Sequence, residues 1–269
     1  MPIDFQGVGL NLHLDQLDYI QTHKPDLPFI EVIADNWLSD GPHHLKLEKL
    51  RQDYQVVFHC VNSNIAGTDP LNRDYFRFLK KLKDKYQPRH ISDHLCVQAH
   101  KGVYFHDLLP FPLNRENIHH CRNRIEEIQT TLNQNILVEN LSYYLEFPES
   151  EMNESQFLAE LVKESGCSIL LDLNNIWVNQ QNLGFPMSDY LGELDLEKVQ
   201  EIHIAGAERF DGLYIDTHGS QVKDEVLEAL KRILPHCSNI PVIYERDNHV
   251  PSTGDLLEEV TAMNKRLLI

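Results

Sequence analysis

Eight short apolar or β-branched runs recur along the chain, each followed by a longer amphipathic stretch, and this repetition constrains the fold more than any other feature of the sequence. The runs are FQGVGLNL from Phe5, PFIEVIA from Pro28, QVVFHC from Gln55, RHISDHL from Arg89, NILVENL from Asn135, SILLDLN from Ser168, VQEIHIAG from Val199 and PVIYERD from Pro241. Strands of a parallel sheet are buried on both faces and read as near-continuous apolar runs, and the stretches between these runs are long enough for crossover helices. Helices are expected over residues 15–23, 71–85, 115–132, 153–164, 222–234 and 254–267, where apolar residues recur at spacings of three and four. Asp69 with Pro70, and Asn114 with Arg115, read as helix starts. Eight such units in 269 residues fit one closed α/β barrel, a (β/α)8 TIM barrel forming a single domain over 1–269. Segments 97–114 and 206–220 are long for βα loops and are expected to cover the barrel mouth.

The charge balance narrows the partners. A net charge of -17, from 41 acidic and 24 basic side chains, repels a phosphate backbone and argues against nucleic acid. Bound cations could neutralise some of those carboxylates without reversing the sign. Cys60, Cys96, Cys121, Cys167 and Cys237 are odd in number, widely spaced and free of any C-x-x-C pair, against both a disulfide framework and a thiolate zinc site. No apolar run reaches membrane-spanning length, and the N-terminal stretch lacks the basic, apolar and small-residue sections of a signal peptide. A cytoplasmic protein is expected.

In a β/α barrel the C-terminal strand ends converge on one face. From the third run to the eighth, each carries an ionisable residue near that end: His59, His94 beside Asp93, Glu139, Asp172, His203 and Glu245. Any one of these would ordinarily be a satisfied polar residue, but six consecutive strand ends describe a site. In IDTHG, Asp216 and His218 are two residues apart and share a side if the segment is extended. The same alternation favours Asn174, two residues beyond Asp172, over Asn175. Four carboxylates (Glu139, Asp172, Asp216, Glu245) brought together repel unless protonated or paired with cations, and imidazoles are the usual companion ligands. Their charge balances two divalent ions, and carboxylates bridge, so a cluster of two or three ions is expected. An N/O ligand set without thiolate suits iron, manganese or zinc.

Other features carry less. His13, Glu31, Asp35, Asn36 and Trp37 lie near the first two runs and fit a place behind the ligands, a substrate wall or plain packing. His119 and His120 read as a solvated helix face, and Cys60 and Cys96 as small buried hydrophobes. The two prolines of HDLLPFP, from His106, suit a rigid wall near the mouth or a structural loop.

On the segments GVGLNL, FHCVNSNIAGTDPLN, ISDHL, DLLPFP, VENLSYYL, GCSILLDLNNIWV, EIHIAGA, IDTHGSQVKDEV and ERDNHVP, from Gly7 to Pro251, the sequence resembles the multinuclear non-haem iron-dependent oxidative enzymes, whose best-known members act in methanobactin biosynthesis. The resemblance implies a xylose-isomerase-like barrel with mixed-valent iron, two or three ions, and His59, His94, Glu139, Asp172, Asn174, His203, Asp216, His218 and Glu245 as ligands. It further implies a ribosomally made, cysteine-containing precursor peptide whose thiolate binds one ferrous ion, with dioxygen as oxidant and hydrogen abstracted from the cysteine β-carbon. A small leader-binding partner protein is implied in the same way. One departure stands out: relatives commonly read Asn-His-Gly where this chain has Asn182, Leu183 and Gly184, which puts the third ion in question.

Three other readings share the ligand set. A divalent-metal sugar isomerase or epimerase would use manganese or zinc and work without oxygen. A metal-dependent phosphodiesterase would need a basic groove, which -17 opposes. A non-catalytic metal-binding protein would hold inert, fully coordinated metal.

Overall fold

In the computed structural model, residues 6–237 and 239–267 are described; Phe5, where the first expected run begins, lies outside them. Eight parallel strands close on themselves: β1 (Val8–Asn11), β2 (Phe29–Ile33), β3 (Gln55–Cys60), β4 (Ile91–His94), β5 (Leu137–Glu139), β6 (Ser168–Asp172), β7 (Val199–Ile204) and β8 (Val242–Tyr244). They follow in chain order around the barrel, and β8 returns to pair with β1 through Val8↔Val242. Each expected run holds one strand; β3 fills its run, and the other seven are shorter than theirs, the run continuing into the flanking turns.

Side chains two apart on a strand face the same side, and that alternation divides the interior into layers. Phe29, Val57 and Ile243 form an apolar cluster separate from the main core, in the lower part of the barrel. Gly9 makes room for it: a Cβ there would stand 2.5 Å from the Phe29 carbonyl oxygen. Two residues further along the chain from each come Glu31, His59 and, just past the end of β8, Glu245, all buried, at the C-terminal mouth. Residues of the opposite parity, such as Ile30, Phe58, Leu171 and Ile204, belong to the large outer core beneath the helices. The sequence alternation therefore places an apolar plug below and an ionisable ring above.

The helices are α1 (Leu17–His23), α2 (His43–Asp53), α3 (Arg73–Tyr86), α4 (Arg115–Leu132), α5 (Glu154–Ser165), α6 (Leu173–Leu183), α7 (Met187–Glu193), α8 (Asp224–Ile233) and α9 (Thr253–Leu267). Asn114 caps α4 by accepting from the N–H of Asn117, and Asn153 with Gln156 forms a capping box on α5. The start expected at Asp69 lies instead at Asn72, which accepts from Asp74 and Tyr75. Asp69 serves the neighbouring hairpin, accepting the N–H groups of Lys101 and Gly102 at 2.8 Å each. The sequence reading missed α2, α6 and α7. The run SILLDLN reads as one strand through Asn174, but Asp172 accepts the N–H of Asn175 at 2.6 Å and turns the chain into α6. The two long segments each fold into an antiparallel hairpin, Val97–His100 with Val103–Leu109 and Glu208–Phe210 with Leu213–Ile215, following β4 and β7. Among the described residues no helix is long and apolar enough to cross a membrane.

Candidate metal centre

The strand ends bring His59, His94, Glu139, Asp172, His203 and Glu245 into one cup, and His218 reaches it from the segment after the second hairpin. Lateral register does much of this: His94 lies opposite Glu139, and Asp172 opposite His203. Four groups of three have ligand atoms within 4.8 Å of one another: His59, His94, Glu139; Glu139, Asp172, His203; Asp172, His218, Glu245; and Glu31, His203, Glu245. In the first, the Nε2 atoms of His59 and His94 are 3.3 Å apart, and they lie 3.5 and 3.4 Å from Glu139 Oε2. Atoms bound at about 2.1 Å to one ion stand roughly 3.0–3.4 Å apart, so this triangle fits a metal.

The polar atoms aimed into the cup support that fit. Glu139 Oε2, Asp172 Oδ2, Asn174 Oδ1, His203 Nδ1 and His218 Nε2 are buried and make no hydrogen bond. Yet His203 Nδ1 is 3.0 Å from Glu245 Oε2, and His218 Nε2 is 3.0 Å from Asp216 Oδ1. Close approach without hydrogen-bond direction is what lone pairs converging on shared ions produce, and unpaired buried groups are otherwise costly.

His59, His203 and His218 are each turned by a group behind the ring. Ser92 Oγ donates to the Phe58 carbonyl at 3.3 Å and lies 2.9 Å from His59 Nδ1, which must then donate, freeing Nε2 for the cup. Asp247 Oδ2 lies 2.7 Å from His218 Nδ1, and its other oxygen is 3.4 Å from His13 Nε2. Asp247 and Ser92 were not singled out by sequence reasoning. Neither was Glu201, although it stands two residues before His203 and so faces the interior. Glu31, ranked among the weaker features, sits wholly buried against His203. An acidic residue inside the apolar run PFIEVIA, and another inside VQEIHIAG, was the available signal.

Asp216 and His218 meet, but not through an extended strand. His218 has φ +50°, a left-handed conformation uncommon for a residue other than glycine, and this turn swings its ring back toward Asp216. Likewise Asn174 and Asn175 lie in the first turn of α6 rather than on alternating faces of a strand. Asn174 donates to Asp216 Oδ1 at 2.6 Å, whereas Asn175 donates to the Asn140 carbonyl, and the side-chain oxygen of each is unpaired. Asn174 and Asp216 thus form one edge of the cup. Leu183, at the position of the departing histidine, lines an apolar cavity, and Asn182 pairs with the backbone of Tyr214 in the second hairpin.

The cup's electrostatics follow from burial. Desolvation, with Asp216, Glu139 and Glu245 nearby, pushes Asp172 well above the ordinary carboxylate range. Desolvation raises Glu139 to about 7, with His94 and His203 pulling the other way. Burial opposes charge on His94, but Glu139 and Asp93 raise it to about 9. His59 falls well below its usual value through burial and the neighbouring His94 and His203. Burial and the neighbouring Glu31 push Glu201 well above the usual carboxylate range. Such a ring carries its negative charge comfortably only with cations present.

The fold has solved counterparts. The chain superposes on D-allulose 3-epimerase from Methylomonas sp. with TM-score 0.64 and 14% identity, covering 97% of each chain. Endonuclease IV from Thermus thermophilus matches with TM-score 0.62 and 16% identity, over 97% of this chain and 98% of that one. At such identities the likeness is one of fold, a TIM barrel. Closer relatives in sequence are a UPF0276 protein of Acaryochloris marina, 39% identical over 94% of this chain and 92% of its own, and one of Caulobacter vibrioides, 35% identical over 97% and 94%. The model of the RiPP precursor modification enzymes MbnB/TglH/ChrH matches residues 7–267, where RiPP denotes a ribosomally made, post-translationally modified peptide. With all but the outermost residues matched, this chain belongs to the MbnB/TglH/ChrH family.

Proposed function

We propose that this chain is an iron-dependent oxidoreductase that uses dioxygen to modify cysteine residues of a ribosomally synthesised precursor peptide. Family membership supports the peptide substrate. The observation that carries a multinuclear centre is Glu139: Oε2 faces His59 and His94, while Oε1 lies 3.9 Å from His203 Nδ1. One carboxylate addressed by two sets of imidazoles is the arrangement of a bridge.

His59, His94, Glu139, Asp172, Asn174, His203, Asp216, His218 and Glu245 would hold the ions, in a set of nitrogen and oxygen donors without thiolate that suits iron and admits zinc or manganese. Iron there supplies one-electron chemistry with dioxygen and an attachment point for the peptide thiolate. The chain supplies fixed spacing, through rings locked by Ser92, Glu31 and Asp247. It also supplies cover: the Tyr144 hydroxyl accepts the N–H of Asp216 at 3.1 Å and draws the loop after β5 toward the cup. All five cysteines are buried and free, which supports a reducing, cytoplasmic setting.

The test is metal analysis and Mössbauer spectroscopy on protein loaded with labelled iron and purified without oxygen, before and after air and a cysteine-containing peptide encoded beside the gene. Two or more irons per chain, a spectrum altered by the peptide, and oxygen consumed are expected. Full occupancy by zinc or manganese with activity in the absence of oxygen would replace this reading with an isomerase or hydrolase.

A further inference from the structure

A cavity of about 660 Å³ opens beside the cup, within the roughly 300–1,000 Å³ typical of ligand sites. Apolar side chains make up the larger part of its wall, among them Leu95, Phe111, Leu141, Ile176, Leu183 and Phe185. Cup and cavity share their framework. Leu95 directly follows His94, and Leu141 stands two residues past Glu139. On α6, Asn174 belongs to the cup, while Ile176, Asn179 and Leu183, spaced three and four apart, line the cavity. Tyr144 touches Asp216, and the next residue, Leu145, lines the cavity at its mouth with 50% of its surface exposed.

Two buried polar groups that reach the cavity, Glu154 and Asn179, are already bonded. Glu154 accepts the Leu141 N–H at 2.9 Å and the Tyr190 hydroxyl at 3.0 Å. Asn179 accepts from Tyr143 N–H and donates to the Leu141 carbonyl. No Lys or Arg lines the space, while Glu146 and Glu151 do, so an acidic segment is repelled.

We propose that this cavity is a specificity subsite that seats a large aliphatic or aromatic side chain of the peptide substrate, at a position flanking the cysteine presented to the cup. The proposal rests on the peptide reading above. It makes Leu183, Ile176 and Leu145 determinants of which peptide is accepted, apart from the residues that face the ions.

The test is an anaerobic binding titration of ferrous-loaded protein with fluorescein-labelled peptides of the form Gly-Gly-X-Cys-X-Gly-Gly, where X is Ala, Leu, Phe or Asp. The Leu and Phe peptides should bind about tenfold or more tightly than the Ala peptide, and the Asp peptide more weakly. Leu183→Trp, which fills the cavity, should bring the Phe-to-Ala ratio near one with iron content unchanged. Leu145→Asp, at an exposed position that folding tolerates, should do the same and keeps the test decisive if the tryptophan variant does not fold. Equal binding of the Phe and Ala peptides to the unaltered protein overturns the subsite and leaves the peptide reading standing, as does a ratio that survives both substitutions. Binding of none of the peptides overturns the peptide reading, and the subsite with it.

Discussion

His203 Nε2 lies 3.0 Å from Glu31 Oε2, a contact that crosses the barrel interior from β7 to β2. Asn11 donates to the other Glu31 oxygen at 2.8 Å, so the carboxylate is held at both ends. The pairing sets a proton on Nε2 and turns Nδ1 toward Glu139 and Glu245, at 3.9 and 3.0 Å. Burial opposes charge on this ring, yet Glu245 and Glu31 raise its proton affinity well above the usual range. Glu31 therefore acts behind the cup, through the histidine it aims.

Replacing Glu31 with Leu tests that role. The ring loses its orienting partner while the residues that face His59 and His94 keep theirs. Iron affinity should fall roughly 10–100-fold at the position served by His203, with the His59, His94 position retained. Stepwise iron titration followed by Mössbauer spectroscopy reads the two positions separately, and equal loss at both would contradict the assignment.

Glu139→Ala removes the carboxylate between two imidazole sets. Because each of its oxygens faces different histidines, more than one iron per chain should be lost. Metal analysis after desalting measures it. Loss of a single ion would sink the bridging idea.

The barrel and the ionisable ring were legible because both are written in strand periodicity: a His, Asp or Glu interrupting an apolar run marks the mouth. What lay beyond was not. Asp172 doubles as the cap of α6, so the chain turns where alternation suggested extension, and the left-handed φ of His218 leaves no mark in the sequence. Ser92 and Asp247 carry ordinary side chains whose importance comes from the ring nitrogen each one meets, a long-range contact. Glu201 was readable in principle, since it is in phase with His203, but one carboxyl in a strand reads as a surface residue until the barrel closes around it.

Metal affinity should rise with pH across the neutral range. In the metal-free protein Glu139 holds its proton up to about pH 7 and His94 up to about pH 9, and binding must displace both. Affinity for ferrous ion should thus climb from about pH 6 to 9, by up to about tenfold per unit for each proton released. Competition titrations against a chelator of known pH dependence measure the slope. A flat profile would mean that neither group gives up a proton to the metal.

His119 and His120 set the boundary of the site. His119 is exposed beside Glu164, at 3.6 Å, which agrees with a solvated face. His120 departs from that expectation: it is half-buried and bonds the Gly67 carbonyl at 2.9 Å, tying α4 to the loop after β3. His119→Ala should leave both metal content and melting temperature unchanged. His120→Ala should also leave metal content unchanged but cost about 1 kcal/mol of stability, the net worth of one hydrogen bond, because its partner carbonyl loses its donor. Parallel metal analysis and thermal denaturation separate these outcomes. Loss of iron in either variant would show that α4 reaches the metals, and the ring of strand ends would then be an incomplete description of the site.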